Sequence, residues 1–243
     1  MCAAPTARPD HAPDTDLEGF VVAIDGPSGS GKSSVSKQVA RTLGFAFLDT
    51  GAMYRALTWW CLDRGIDLED EAGVIDAAES FPLAIGTDPD RPDVTVGGVD
   101  VGAAIRESRI STQVSRVAGI IPVREALRRM QRRLISEAGA ARGGVVAEGR
   151  DITTVVAPDA DVRILLTASE HARLARRSKE LHGDAGAESV AATRSQVLDR
   201  DRADSRVSQF TVAADGVTTV DTSHLDFDGS VAAVLEVIAT ARS

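Results

Sequence analysis

The stretch from Ala23 to Gly44, AIDGPSGSGKSSVSKQVARTLG, decides the architecture. Within it, Gly26-Pro27-Ser28-Gly29-Ser30-Gly31-Lys32-Ser33 places four residues between two glycines, followed by lysine and serine. A loop of this pattern holds nucleotide phosphates, provided a strand precedes it and a helix follows. Both are present. Phe20–Asp25 (FVVAID) is a short apolar run of strand type, and from Lys32 to Leu43 the residues Val35, Val39 and Leu43 recur at helical spacing before Gly44. Gly26, Gly29 and Gly31 free the backbone to approach phosphate oxygens, and the N–H groups of Gly29 to Ser34 are expected to face an anion at the helix start. The whole run Gly26, Pro27, Ser28, Gly29, Ser30, Gly31, Lys32, Ser33, Ser34 is therefore expected to hold the donor nucleotide. Lys32 would bridge the β- and γ-phosphates, and the Ser33 hydroxyl would face Mg²⁺. What the loop leaves open is the acceptor, which could be water, a motor cycle or a second small molecule.

Composition narrows that choice. The chain has 243 residues, 43% of them hydrophobic and only 4% aromatic, so a Val/Ile/Leu/Ala core is expected. A formal charge of −9 speaks against a nucleic-acid polymer as partner, because that needs a broad basic surface. Arginines nevertheless cluster between Arg124 and Arg133 and between Arg173 and Arg206, which suits small phosphorylated ligands. Guanine readers use an Asn-Lys-x-Asp motif, and this chain contains no asparagine. Only Cys2 and Cys61 are present, so no disulfide or zinc site is expected. There is no apolar run of about 20 residues and no signal-peptide core, which predicts a cytoplasmic protein without membrane contact. The first 18 residues, rich in Pro, Ala and Asp, read as a flexible tail, and residues 19–243 as the folded unit.

Further strands are expected at Phe45–Thr50, Gly143–Asp151, Asp161–Ala168 and Gly216–Thr222. Helices are expected at about 52–63, 122–138, 170–181, 187–204 and 230–241. Between about 67 and 119, short apolar stretches broken by Gly, Pro and Asp predict a small β-rich insertion. Strands alternating with helices imply a parallel sheet covered on both faces, with ligands at the strands' C-terminal ends. The phosphate loop, Asp49-Thr50, Glu148–Asp151 and Thr167 all fall there, with Asp49-Thr50 expected beside the loop. Glu148 could hold a Mg²⁺-bound water or be structural; His11, His171, His182 and His224 form no cluster and read as surface residues.

Four segments carry a resemblance: IDGPSGSGKSSVSKQVARTLGFAFLDTGAMYRALT, IRESRISTQVSRVAGIIPVREALRRMQRR, VVAEGRDITTVVAPDADVRILLTASEHARLARR and VLDRDRADS. Together they resemble the bacterial cytidylate kinases over roughly residues 20–238. The resemblance implies a P-loop nucleoside monophosphate kinase fold: a five-stranded parallel sheet with helices on both faces, an inserted CMP-binding subdomain at about 67–119 and a lid at about 170–190. It implies ATP and Mg²⁺, CMP or dCMP as acceptor, and a monomer. Its acceptor positions fall on Thr50, Tyr54, Arg55, Ser115, Arg124, Arg150, Asp151, Arg200 and Asp204. Arg55, Arg150 and Arg200 would clamp the CMP phosphate and, with Lys32, form the catalytic set. Asp151 would accept from the cytosine amino group, with Ser115 and Arg124 at the rest of the base; as an alternative, Asp151 only caps a helix. Asp204 would hold the ribose hydroxyls. Arg176, with Arg173 and Arg177, suits a lid over the ATP phosphates or a solvated basic face. The chain departs from the family pattern after Asp204. It reads DSRVSQF, with Arg206 two residues on instead of three and no Pro-Leu, which leaves the role of Arg206 open. Two rivals stand beside this reading: a shikimate- or dephospho-coenzyme-A-type kinase, and an ATP sensor without turnover.

Overall fold

The computed structural model describes residues 16–184 and 186–243. Cys2, His11, most of the expected tail, residue 185 of the expected lid and the side chain of His182 lie outside what it describes. In chain order the strands are β1 (Phe20–Asp25), β2 (Ala46–Asp49), β3 (Leu83–Ile85), β4 (Val94–Val96), β5 (Val99–Asp100), β6 (Gly144–Gly149), β7 (Val162–Thr167) and β8 (Thr218–Asp221). The helices are α1 (Lys32–Leu43), α2 (Thr50–Asp63), α3 (Glu71–Glu79), α4 (Ser108–Ser111), α5 (Val114–Ala118), α6 (Ile121–Arg142), α7 (Glu170–His182), α8 (Ala187–Asp204) and α9 (Phe227–Arg242).

Five strands form a parallel sheet in the order β2-β6-β1-β7-β8. Strand β1 is apolar on both faces because both are covered, as parallel sheets require. Its side chains divide by the two-residue period of a strand. Val22 and Ile24 pack with Val35 and Val39 of α1 and Val234 and Ile238 of α9, while Val21 and Ala23 pack with Met53 of α2 and Ile135 of α6. The core is therefore two layers of aliphatic side chains on either side of one sheet, and Cys61 of α2 is buried in a third cluster. Leu17 packs partly buried on the α2/α6 side and the Ser136 hydroxyl donates to the Asp16 carbonyl at 3.2 Å, so the chain is docked from Asp16 onward.

The segment expected to be β-rich holds more helix than strand. Its antiparallel β3-β4-β5 sheet is short, whereas α3, α4, α5 and a 3₁₀ turn at Ala104–Arg106 fill most of the rest. Asp70 caps α3 by accepting from the Gly73 N–H, a start signal the alternation of small apolar runs concealed. Nor does the segment have a private core: Val74, Val96, Ile105 and Val117 share one cluster with Leu57 of α2 and Leu127 of α6. No helix among the described residues is long and apolar enough to cross a membrane.

One buried charge sets the geometry at the sheet's edge. Asp25, the last residue of β1, accepts from the Ile152 N–H at 2.9 Å, the Thr153 N–H at 2.8 Å and the Thr153 hydroxyl at 2.6 Å. These bonds fix the π-helical turn Ile152–Val156 immediately after Arg150-Asp151. Burial nonetheless pushes the Asp25 carboxyl up to about 6, against the pull of those donors. Since 3.8 is its ordinary value, the protonated form is favoured by the fold. The stabilisation is full below about pH 4 and is lost as pH rises through about 6, a change of about 3 kcal/mol at about 1.4 kcal/mol per pKa step. Asp25→Asn has no such titration. Chemical denaturation of both proteins from pH 3.5 to 8 is expected to show their stabilities converging by about 3 kcal/mol as pH rises; parallel profiles would refute the account.

Candidate active site

The loop between β1 and α1 turns through Gly29 (φ 76°) and Gly31 (φ 90°), conformations closed to most side-chain-bearing residues. A Cβ on Gly29 would lie 2.5 Å from the Arg173 carbonyl oxygen, so only glycine lets α7 rest on the loop. Gly31 heads α1 with no side-chain cap, which leaves the first N–H groups of the helix for an anion. Ser33 donates its hydroxyl to Glu148 Oε1 at 2.5 Å, and Lys32 Nζ stands 3.9 Å from Glu148 Oε2. Burial, then the repulsion of Arg150, pushes the Lys32 ammonium down to about 8; burial, then the charge of Asp49, pushes Glu148 up to about 7. The loop is thus an anion site whose own cation is short of solvation.

The strand beside β1 is β6, which ends in Glu148-Gly149-Arg150; Asp49-Thr50 at the end of β2 lies one strand further out than the sequence suggests. Gly149 is needed there because a Cβ would lie 2.5 Å from the Thr50 hydroxyl. That hydroxyl donates to the Glu148 carbonyl at 2.8 Å and so ties the outer strand's turn to the inner one. Asp49 caps α2 through the Ala52 N–H and accepts from Arg55 at 2.9 Å. Burial raises the Asp49 carboxyl, but Arg55 and the capping N–H outweigh it and hold it below its ordinary value.

Eight of the nine expected acceptor residues line one small pocket of about 50 Å³; the ninth, Arg55, lines the adjoining cleft of about 1400 Å³ together with the phosphate loop. Ser115, Arg150 and Arg200 belong to both cavities, so the two open into each other. Inside the pocket the Ser115 hydroxyl donates to Asp204 at 2.8 Å. Arg124 donates to Asp151, to the Ser208 hydroxyl at 2.8 Å and to the Ala118 carbonyl at 3.1 Å. Burial raises the Asp151 carboxyl against the opposing pull of Arg124, and burial raises the Tyr54 hydroxyl. Asp151 stands at the head of the π-helical turn, but its side chain caps no N–H there; it faces Arg124 instead, against the capping alternative. Arg200 is pushed down to about 10 by burial and by Arg150, and its Nε, like that of Arg55, donates to no acceptor.

Two arginines are more tightly held than the sequence suggests. Arg150 donates to the Gly26 carbonyl, the Ser28 hydroxyl at 2.7 Å, Asp201 at 3.2 Å and Asp204 at 3.1 Å, and its guanidinium stacks 4.4 Å from the Phe210 ring centre. Arg176 donates to the carbonyls of Ser30, Thr222 and Leu225, and so fastens α7 to the loop and to β8's end while lining the cleft. Arg206 is exposed and lines neither cavity, and His171 and His224 are exposed. Sequence reasoning missed Asp25, Asp201, Ser208 and Phe210. A charged residue closing an otherwise apolar strand was a signal for Asp25; the other three meet their partners only through the tertiary fold.

A phosphate loop that opens across one cleft onto a second, arginine-rich pocket defines a P-loop phosphotransferase with a small acceptor. The family model of cytidylate kinase matches residues 22–240. A cytidylate kinase of Streptomyces avermitilis is 46% identical over 224 residues, covering 92% of this chain and 94% of that one. One of Rhodococcus opacus is 47% identical over 221 residues, covering 90% and 94%, and one of Lactiplantibacillus plantarum is 41% identical over 226 residues, covering 91% and 96%. The chain belongs to the cytidylate kinase family.

Lys32 must be charged to meet phosphates, and it loses its proton as pH rises through about 8. Calorimetric ATP affinity should therefore fall between pH 7.5 and 9.5 in the wild type. In Lys32→Arg, whose cation persists, the fall should be absent; an equal fall in both would assign it elsewhere.

Proposed function

We propose that the protein transfers the γ-phosphate of ATP to CMP or dCMP, giving ADP and CDP or dCDP, as a cytoplasmic monomer in pyrimidine nucleotide recycling. The observation that carries the reading is the convergence of Lys32, Arg55, Arg150 and Arg200 between the loop and the small pocket, with Arg55 Nε and Arg200 Nε lacking a hydrogen-bond acceptor. Buried donors without acceptors are costly, and two phosphate groups brought together would supply the acceptors. The attacking CMP phosphate oxygen is already anionic, so no general base is assigned. The cations' task is to neutralise two phosphates held in line, each charged hydrogen bond contributing about 1.5–3 kcal/mol. Arg150 is the most heavily engaged of the four, each of its three nitrogens donating to the loop, Asp201 or Asp204.

Base choice follows from the Asp151–Arg124 pair. A carboxylate accepts from cytosine's amino group and repels the carbonyl that uracil carries there, while Arg124 and Ser115 face the remaining acceptors. Asp204 is assigned to the ribose.

The donor set also fits Mg²⁺. Ser33 and Glu148 present a hydroxyl and a carboxylate within hydrogen-bond reach of each other beside the phosphate loop. That matches an ion held by one or two protein oxygens plus substrate phosphates. When bound, it supplies charge neutralisation between the β- and γ-phosphates; Ser33 would hold it and Glu148 would orient Ser33.

One coupled assay with ATP, Mg²⁺ and CMP, dCMP, UMP or AMP tests the reading. CDP and dCDP formation is expected, and Arg200→Ala should lower kcat/KM for CMP about 100-fold. ATP binding with no diphosphate product would favour a sensor instead. Asp151→Asn should reduce the CMP-over-UMP preference at least about tenfold, and an unmoved ratio would remove Asp151 from base recognition.

A further inference from the structure

Asp201 lines neither cavity, yet it joins the three elements that surround them. Its Oδ1 accepts the Ser28 backbone N–H at 3.0 Å and Arg150 Nη2 at 3.2 Å, and its Oδ2 accepts Arg173 Nη1. Arg173 also donates to the Ser28 carbonyl at 2.9 Å, so both polar groups of one loop residue are engaged by this pair. The backbone of α7 at Arg173 lies directly on Gly29, and the Ser28 hydroxyl takes a further bond from Arg150. One buried carboxylate thus meets the phosphate loop, the acceptor-side arginine and the helix expected to act as a lid.

The charges explain why a carboxylate is needed at this point. Arg150 raises the repulsion felt by Lys32 and by Arg200, and Arg173 brings another cation to the same region. Without an anion behind them, these guanidinium groups would separate and draw the loop and α7 apart. Phe210, buried beneath Arg150, fixes the plane of that guanidinium but supplies no charge. Asp204 faces the acceptor pocket and is shared with Ser115 and Arg200. Asp201 alone faces Ser28 and Arg173 together.

We infer that Asp201 is a positioning residue for phosphoryl transfer: it registers the phosphate loop, Arg150 and Arg173 against one another, so that donor and acceptor halves of the site are formed together. The inference rests on the ATP-to-CMP reading above. Asp201 touches no substrate; it acts through Ser28, Arg150 and Arg173.

The test is a double-mutant cycle read by calorimetric ATP affinity and by kcat/KM for CMP. Asp201→Asn preserves shape and the acceptor for the Ser28 N–H but turns an amide toward one of the two arginines. It should weaken ATP binding at least fivefold and lower kcat/KM for CMP at least tenfold. In an Arg173→Gln background the same change should cost under threefold in both, because its route is already broken. Multiplicative losses in the two backgrounds would overturn the inference, since a stability role alone gives no such coupling. If Asp201→Asn does not fold, the partner side decides. Arg173→Lys should then recover at least a third of the ATP affinity that Arg173→Gln loses, and no recovery would count against the inference. A wild type that binds ATP but forms no CDP would reject the CMP kinase reading, while the ATP-affinity arm would still judge Asp201.

Discussion

Mutual repulsion among Lys32, Arg55, Arg150 and Arg200 is the constraint to which the rest of the structure answers. Burial and neighbouring cations push Lys32 down to about 8 and Arg200 down to about 10. Lys32 and Arg200 are thus less comfortable as cations than they would be in water, the electrostatic signature of a site awaiting anions. Gathering such charges is costly unless carboxylates stand behind them. Asp49 holds Arg55, Glu148 faces Lys32, Asp201 and Asp204 hold Arg150, and Asp151 holds Arg124. The protein's net charge of −9 is compatible with this arrangement because the acids are placed against the basic groups of the site.

The fold supplies those placements by ending several parallel strands at one level. Residue 25 of β1 pairs in register with residue 149 of β6, and residue 49 of β2 with residue 148. Asp25, Asp49 and Glu148 therefore arrive at the same edge with little freedom in height. Asp25 spends its carboxylate on the turn after Arg150 and Asp151, so the strand that starts the phosphate loop also sets where the acceptor residues begin. The phosphate loop and the turn that follows Arg150 and Asp151 are coupled through the sheet before any ligand is involved.

What could be read from the sequence was local. The phosphate loop, the sheet strands and the long helix α6 announce themselves through apolar runs, glycines and Pro122 in the first turn of α6. The acceptor residues, by contrast, carry no local signal: a Tyr-Arg on a helix or a lone Ser115 looks like surface. They became readable only because their flanking segments resemble a known family, and the structure then brings eight of the nine into one pocket. Asp201 escaped both routes. Its partner Ser28 is 173 residues away, and nothing in its own neighbourhood distinguishes it from the acids of a solvated helix face. The helix-rich character of the insertion was hidden for another reason. Its helices α3, α4 and α5 are short and lean on α2 and α6, and only α3 has a side-chain cap, so they show no period of their own.

The segment DSRVSQF, where the chain departs from the family pattern, is where fold and site meet most closely. Here the chain has Ser208 and Phe210 just past the end of α8. Ser208 accepts from Arg124, and Phe210 lies under Arg150. The stack contributes on the order of 1–2 kcal/mol when desolvated, and Phe210 is 1% exposed. The segment thus gives Arg124 and Arg150 a direct partner each, one through a hydroxyl and the other through a ring face. Arg206, shifted out of the family spacing, is left exposed. Within these seven residues, then, Ser208 and Phe210 turn inward to hold Arg124 and Arg150, while Arg206 turns outward.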